Sequence, residues 1–267
     1  MTCQSCVDTI EKKLNKVEGI DNVAISLEKG TVLVQTSLPS SIVQQSIEDT
    51  GRRAVIKGYG GVLTRFVTTQ ASRGVSSAVA MLGGTTGYSK TGVQGVVRLV
   101  QADPDVCVID GTIDGLSPGL HGLHIHECGD ISRGCDSVGD HFSLVDSQHG
   151  GPTDINRHTG DLGNIEAGAD GRAVFRLEDS CVKVNDVLGR SIVVTEQPDD
   201  LGRGSNLKSP IDGNSGQRLA CGIISRSAGL FENSKKICAC DGVTLWDERD
   251  KPLAGPGRRN PSPASNL

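Results

Sequence analysis

Four groups of side chains in this sequence have the types and spacing to do chemistry with metals or thiols. Met1-Thr2-Cys3-Gln4-Ser5-Cys6 stands ahead of an amphipathic run in which Val7, Ile10, Leu14 and Val17 recur at helical spacing. Two thiols at the start of a helix can turn toward one ion, and the positive end of the helix dipole favours their thiolates. Soft sulfur suits Cu(I); a thioredoxin-like redox pair or an incidental pair are the alternatives. Cys238-Ala239-Cys240 lies in a segment too poor in apolar residues to need buried cysteines. One intervening residue is too few for a relaxed disulfide. Two accessible thiolates with open coordination positions suit handing an ion on, the alternative being two unrelated surface thiols.

The other two groups are imidazole-rich. His141, His149, His158 and Asp161 fall in the Gly-rich stretch HFSLVDSQHGGPTDINRHTGDLGN. Three imidazoles and a carboxylate so close together can close a tetrahedral Zn(II) site and staple a loop that has no strand pattern. Surface histidines in a polar loop are the alternative. In His121-Gly122-Leu123-His124-Ile125-His126, strand alternation puts His124 and His126 on one face and Leu123 and Ile125 on the other. With His141 they can form an imidazole-rich copper site; a strand with polar residues facing water is the blander possibility.

The rest of the chain must position these groups. It has 267 residues, enough for one or two domains, with 35 Gly, 3% aromatics and a net charge of −5. That composition points to short strands and tight turns, and the charge gives no reason to expect a nucleic-acid partner. No apolar run is long enough for membrane insertion. No basic segment followed by an apolar core marks export, so nine cysteines suggest metal-binding or redox thiols in a reducing compartment.

Four segments emerge. Residues 1–57, with no net charge, read as helix, strand, strand, helix, strand: Val23, Ile25 and Leu27 alternate in one strand, Val32 and Val34 in the next. Pro39 opens the second helix, Gly51 closes it, and Ala54-Val55-Ile56 forms a last strand. Residues 58–92, rich in Gly, Ser and Thr and without acidic groups, read as a flexible linker whose apolar part docks on a neighbour. Residues 93–231, net −9, carry short β-type runs such as VQGVVRLV, AVFRLE, SIVVTE and LACGIIS, the pattern of an antiparallel sandwich or barrel. Two stretches, roughly 127–163 and 196–217, lack that pattern, and loops so long are usually functional. Residues 232–267 read as a weakly structured tail, with Trp246 as an anchor. Cys107 and Cys181, in β-type runs, read as small buried residues; Cys128 receives no role.

Residues 93–231 resemble Cu,Zn superoxide dismutase, through GLHGLHIHECGD, GCDSVGDHF, HGGPTDINRHTGDLGN, DDLGRGS and GNSGQRLACGII. Residues 1–57 resemble the heavy-metal-associated copper-carrier domain, lacking the strand that normally precedes its CxxC loop. The two in this order, followed by CxC, resemble the copper chaperone family that serves superoxide dismutase. The resemblance implies a mainly β chain: a Greek-key antiparallel barrel preceded by a small, shortened ferredoxin-like α+β domain. It implies zinc at His141, His149, His158 and Asp161, with Asp199 as the carboxylate linking metal-binding histidines. It implies a disulfide between Cys135 and Cys221, and Arg218 as the vestige of the dismutase anion-guiding arginine. Copper ligands map onto His124, His126 and His141, but the fourth copper histidine falls on Thr195. Threonine offers a weak neutral oxygen, poorly suited to a copper that must cycle between oxidation states.

On this resemblance the chain is no enzyme but a carrier of Cu(I). It takes copper at Cys3 and Cys6, from a copper importer or another donor, and passes it on through Cys238 and Cys240. Its client is Cu,Zn superoxide dismutase, met as a heterodimer; a homodimer is a second assembly. Cytoplasm is the expected location, with the mitochondrial intermembrane space or nucleus as others. An active dismutase with accessory copper-binding domains, and a copper buffer without a client, are the rival readings.

Overall fold

A computed structural model describes residues 4–56 and 77–227. Its elements are α1 (Gln4–Leu14), β1 (Ile20–Ser26), β2 (Thr31–Thr36), α2 (Ser40–Glu48), β3 (Ser77–Leu82), β4 (Tyr88–Ser89), β5 (Gln94–Asp103) and β6 (Val106–Asp114). They continue with β7 (Gly119–His126), β8 (Ser132–Cys135), β9 (Asp161–Ala167), β10 (Arg172–Asp179), α3 (Val184–Val187), β11 (Ser191–Thr195), α4 (Ser209–Asp212) and β12 (Arg218–Arg226). Two compact units result, residues 1–57 and 58–267.

In the first unit the helical spacing of Val7, Ile10 and Leu14 puts all three on one buried face of α1. That face packs with Ile47 of α2 against Ile20, Val23 and Ile25 of β1 and Val32 and Val34 of β2. Pro39 caps α2, as its fixed φ suits, and Gly51 follows the helix at φ +78°. The expected last strand is not formed: Ala54–Ile56 pairs with no strand among the described residues. Two α2 side chains take its backbone groups instead, Glu48 accepting the Ala54 N–H at 3.0 Å and Gln44 donating to its carbonyl at 2.9 Å.

The second unit is an antiparallel barrel. Its strands run β11-β7-β9-β10-β6-β5-β3-β12, and β11 pairs back onto β12, which closes the ring and removes its free edges. Alternation turns Val97 and Leu99 of β5, Ile109 and Ile113 of β6, Leu123 and Ile125 of β7 and Ile192 and Val194 of β11 into one core. Each fully buried Leu or Ile contributes roughly 1.5–3 kcal/mol.

The expectation of a flexible linker over 58–92 fails for residues 77–92. Residues 77–92 belong to the barrel unit: β3 lies between β5 and β12, and β4 pairs with β12 beside it. Ala78, Ala80 and Leu82 are buried, so the uncharged SAVAML run is a core strand whose small residues hid its alternation. Residues 58–76 lie outside the described residues, as does the tail from 228 on, Trp246 included. The stretch 127–163 contains short β8. Cys107 is buried as expected, but Cys181 is exposed, since it follows β10 in a turn where Asp179 accepts its N–H.

Candidate metal centre

β7 does what its alternation demands: Leu123 and Ile125 enter the barrel core while His124 and His126 face the other way. Both histidines are nonetheless buried, because the 127–163 loop folds back over them and His126 bridges to His141 through the backbone.

That loop carries the second cluster. Asp161, fully buried at the start of β9, is met by three imidazoles through their Nδ1 atoms: His141 at 2.8 Å, His149 at 3.0 Å and His158 at 3.2 Å. Backbone N–H groups of Gly150 and His158 also donate to Asp161 Oδ2, at 3.1 and 2.9 Å. The donor atoms of His141, His149, His158 and Asp161 all lie within 4.8 Å of one another. Three nitrogens and one carboxylate oxygen so gathered fit Zn(II), which these four residues would hold as a structural staple.

His141 belongs to both clusters. His124, His126 and His141 form a second convergent set within the same 4.8 Å, the His124 and His141 rings stacking at 4.1 Å. In His124 and His126 one ring nitrogen is tied to the protein and the other is not. His124 Nε2 meets Asp199 Oδ2 at 3.0 Å and leaves Nδ1 buried with no hydrogen-bond partner. His126 Nδ1 meets the Gly139 carbonyl at 3.0 Å and leaves Nε2 in the same state. Unpartnered buried nitrogens are costly in a finished core and are what a soft or borderline metal ion satisfies.

Asp199 joins the two sets, since its other oxygen meets His149 Nε2 at 2.7 Å. It is held in turn by Asn164, which donates to its carbonyl and accepts its N–H, both at 2.8 Å. Carboxylates in this role orient the imidazole and fix its tautomer.

The electrostatics prepare the donors. Burial, then the neighbouring His124, pushes His141 down to about 3, and burial, then His141 and Arg218, holds His126 well below the usual histidine range. Both present neutral nitrogen. Burial works to raise Asp161, but hydrogen bonds from His141, His149 and His158 outweigh it and keep the carboxylate ionised; Asp199 is lowered in the same way by His124 and His149. Burial opposes charge on His149, yet Asp161 and Asp199 on its two sides prevail and raise it to about 9.

Thr195 ends β11 where the resemblance puts the fourth copper ligand. It is buried, and its hydroxyl donates to the Gly122 carbonyl at 3.2 Å. Gly122 lets the two side chains sit side by side: a Cβ there would lie 2.6 Å from Thr195 Oγ1 and 2.8 Å from His124 Cε1.

Cys135 and Cys221 are joined in a disulfide with Cα atoms 5.7 Å apart. Arg218 donates to the carbonyls of Cys135 and Gly139 at 2.8 and 2.9 Å, which ties the disulfide loop to the copper-type histidines. Cys6 lies in the first turn of α1. Its partner Cys3, and Cys238 and Cys240, lie outside the described residues.

Two participants escaped the sequence reading, and a third, His121, was given no role there. Asn164 fastens Asp199, and His121 has its Nδ1 2.8 Å from the Thr195 carbonyl. Arg157, buried, donates to the Asp161 carbonyl at 2.7 Å and pairs with buried Asp179. The one available signal was a charged residue, Arg157, beside a candidate ligand, His158.

Comparison with known proteins agrees with this anatomy. The copper/zinc superoxide dismutase (SODC) family matches residues 93–224 and the heavy-metal-associated domain residues 1–53. A pig protein named copper chaperone for superoxide dismutase is 56% identical over 98% of this chain and 91% of its own length. Its human counterpart is 54% identical over 97% of this chain and 90% of its own. A solved structure described as the clock protein EA4 superposes with a TM-score of 0.54 at 34% identity, covering 60% of this chain and all of that one. Identity at this level along nearly the whole sequence, with both family models matched on it, makes the chain a member of the copper chaperone for superoxide dismutase family.

Proposed function

We propose that this chain carries Cu(I) to Cu,Zn superoxide dismutase and promotes disulfide formation in that client. The observation that carries the reading is Thr195: a barrel with convergent zinc donors and a closed disulfide has, at the fourth copper position, a hydroxyl already given to the Gly122 carbonyl. The barrel keeps the shape of a dismutase subunit without the ligand field for turnover. Such a surface suits pairing with a client subunit, as a heterodimer that imitates the dismutase homodimer. A homodimer of this chain would use the same surface.

Cys3 and Cys6 take Cu(I) from a copper importer or other donor, and Cys238 and Cys240 pass it on through transient thiolate bonds. Zn(II) is held at His141, His149, His158 and Asp161. Once copper has left, a tail thiolate attacks a small disulfide, takes one half of it and releases the other as a thiol. A client thiolate then attacks the tail sulfur, expelling the second small thiol and forming a mixed disulfide, and the client's other thiolate closes the client disulfide as the tail sulfur leaves as a thiolate. The cytoplasm, with the mitochondrial intermembrane space or nucleus, keeps the carrier thiols reduced.

The retained His124, His126 and His141 favour one rival, an active dismutase. Superoxide consumption by the copper-loaded protein alone, at the rate of ordinary dismutases, would establish it. The deciding experiment mixes the Cu(I)-loaded chain with copper-free, disulfide-reduced dismutase and oxidised glutathione as the small disulfide, and follows both activity and client disulfide. Cys238→Ser with Cys240→Ser is expected to abolish activation while leaving docking intact. An undiminished rate would remove the CxC from the mechanism.

A further inference from the structure

Nothing in the copper-delivery reading uses the segment between β3 and β5, yet it grips both ends of the disulfide. β4 pairs antiparallel with β12, Tyr88 opposite Cys221 and Ser89 opposite Ala220. Ser89 Oγ donates to the Leu219 carbonyl at 3.0 Å, on one side of Cys221. Across the bridge, the Tyr88 carbonyl oxygen lies 3.9 Å from Cys135 Sγ, and Lys90 reaches Asp136 at 3.5 Å. The Tyr88 ring lies on Gly134, the residue before Cys135. A Cβ at Gly134 would be 2.5 Å from Tyr88 Cε1, so the absence of a side chain there lets the ring settle, and φ +71° favours glycine as well.

Tyr88 packs with Cys135, Val138, Val193 and Cys221 in one apolar cluster in which the two half-cystines are 3% and 0% exposed. Val193 belongs to β11 of the barrel wall. β4, by contrast, is a two-residue strand at the margin of the sheet, so it opens at far lower cost than the barrel.

We infer that residues 83–92 form a strap, with Tyr88 as its seal, that closes the Cys135–Cys221 disulfide to attacking thiolates. Reduction requires a thiolate to bond to one Sγ while the S–S bond breaks and the other Sγ leaves as a thiolate. With the strap seated, the bridge is reached only when β4 lifts from β12. Tyr88 thereby sets how long this disulfide survives among reduced thiols. The inference is independent of copper delivery, because it concerns this chain's own disulfide and any small thiol.

The test uses the full chain with the disulfide closed, exposed to dithiothreitol without denaturant. Cys135 and Cys221 are trapped by alkylation and quantified by mass spectrometry over time. Tyr88→Ala is expected to be reduced about tenfold faster than the parent, and Ser89→Ala about threefold faster. Tyr88→Phe, which keeps the ring, should stay within about twofold. Thermal melting shows whether each variant retains the barrel. Equal rates for Tyr88→Ala and the parent, with the barrel folded, would overturn the strap. Should Tyr88→Ala not fold, an unchanged rate in Ser89→Ala does the same. The assay contains neither copper nor a client, so its outcome is separate from that of the activation experiment.

Discussion

The Thr195 hydroxyl donates to the Gly122 carbonyl across 3.2 Å, on the strand that also carries His124 and His126. The oxygen at the fourth copper position is therefore engaged by the protein itself, while His124 Nδ1 and His126 Nε2 beside it have no hydrogen-bond partner. Thr195→His should supply a fourth imidazole and raise Cu(II) affinity by at least about tenfold. Titration against a competing chelator, with the Cu(II) electron paramagnetic resonance spectrum as a second readout, checks this. Unchanged affinity would mean that loop geometry, not the missing ligand, disables the site.

Asp199 holds His124 and His149 through its two oxygens at 3.0 and 2.7 Å. Asp199→Ala removes no zinc ligand, yet it frees the far side of the His149 ring. Zinc affinity is expected to fall by about 10–100-fold, measured by competition with a chelator. Retained affinity would make Asp199 irrelevant to the zinc donors.

Arg157 and Asp179 form an ion pair with side chains only 2% and 3% exposed. Arg157→Met leaves a buried carboxylate without its countercharge, a loss of about 3 kcal/mol, at the low end for such pairs because the Cys181 and Val182 N–H groups still donate to Asp179. Arg157→Met with Asp179→Asn, which drops the charge but keeps an oxygen for those two N–H groups, should recover most of that loss. Denaturant unfolding of the parent and both variants decides the matter; equal midpoints would refute it.

His149 offers a test of the site's protonation. With its value raised from 6.5 to about 9 by Asp161 and Asp199, it carries a proton at pH 7 in the metal-free protein. Zinc uptake must displace that proton, so about one proton should be released per zinc at pH 7 and progressively fewer as pH rises through 9. Calorimetry in buffers of different ionisation enthalpy counts it.

The same group sets a stability trend. Because its folded value lies above the unfolded one, its contribution is present in full below about 6.5 and disappears as pH rises through about 9. Metal-free protein should therefore lose stability across that window while zinc-loaded protein does not. Thermal melts of both forms across the window would show a parallel response if the idea is wrong.

The sequence alone carried the elements whose signals are local. Val7, Ile10 and Leu14 specified the buried face of α1, and the HxH alternation separated two histidines from Leu123 and Ile125, because these periodicities follow from helix and strand geometry. Spacing within one loop brought His141, His149, His158 and Asp161 under suspicion together. Small residues hid β3, since Ala78 and Ala80 make a core strand without the bulky alternation that announces one. Only the closed barrel decided the rest. Tyr88 opposes Cys221 and Thr195 reaches Gly122, each across a gap in sequence of 73 residues or more. Such meetings depend on which strands pair and in what register, which is settled by the burial of the whole core at once and leaves no mark on any short stretch of chain.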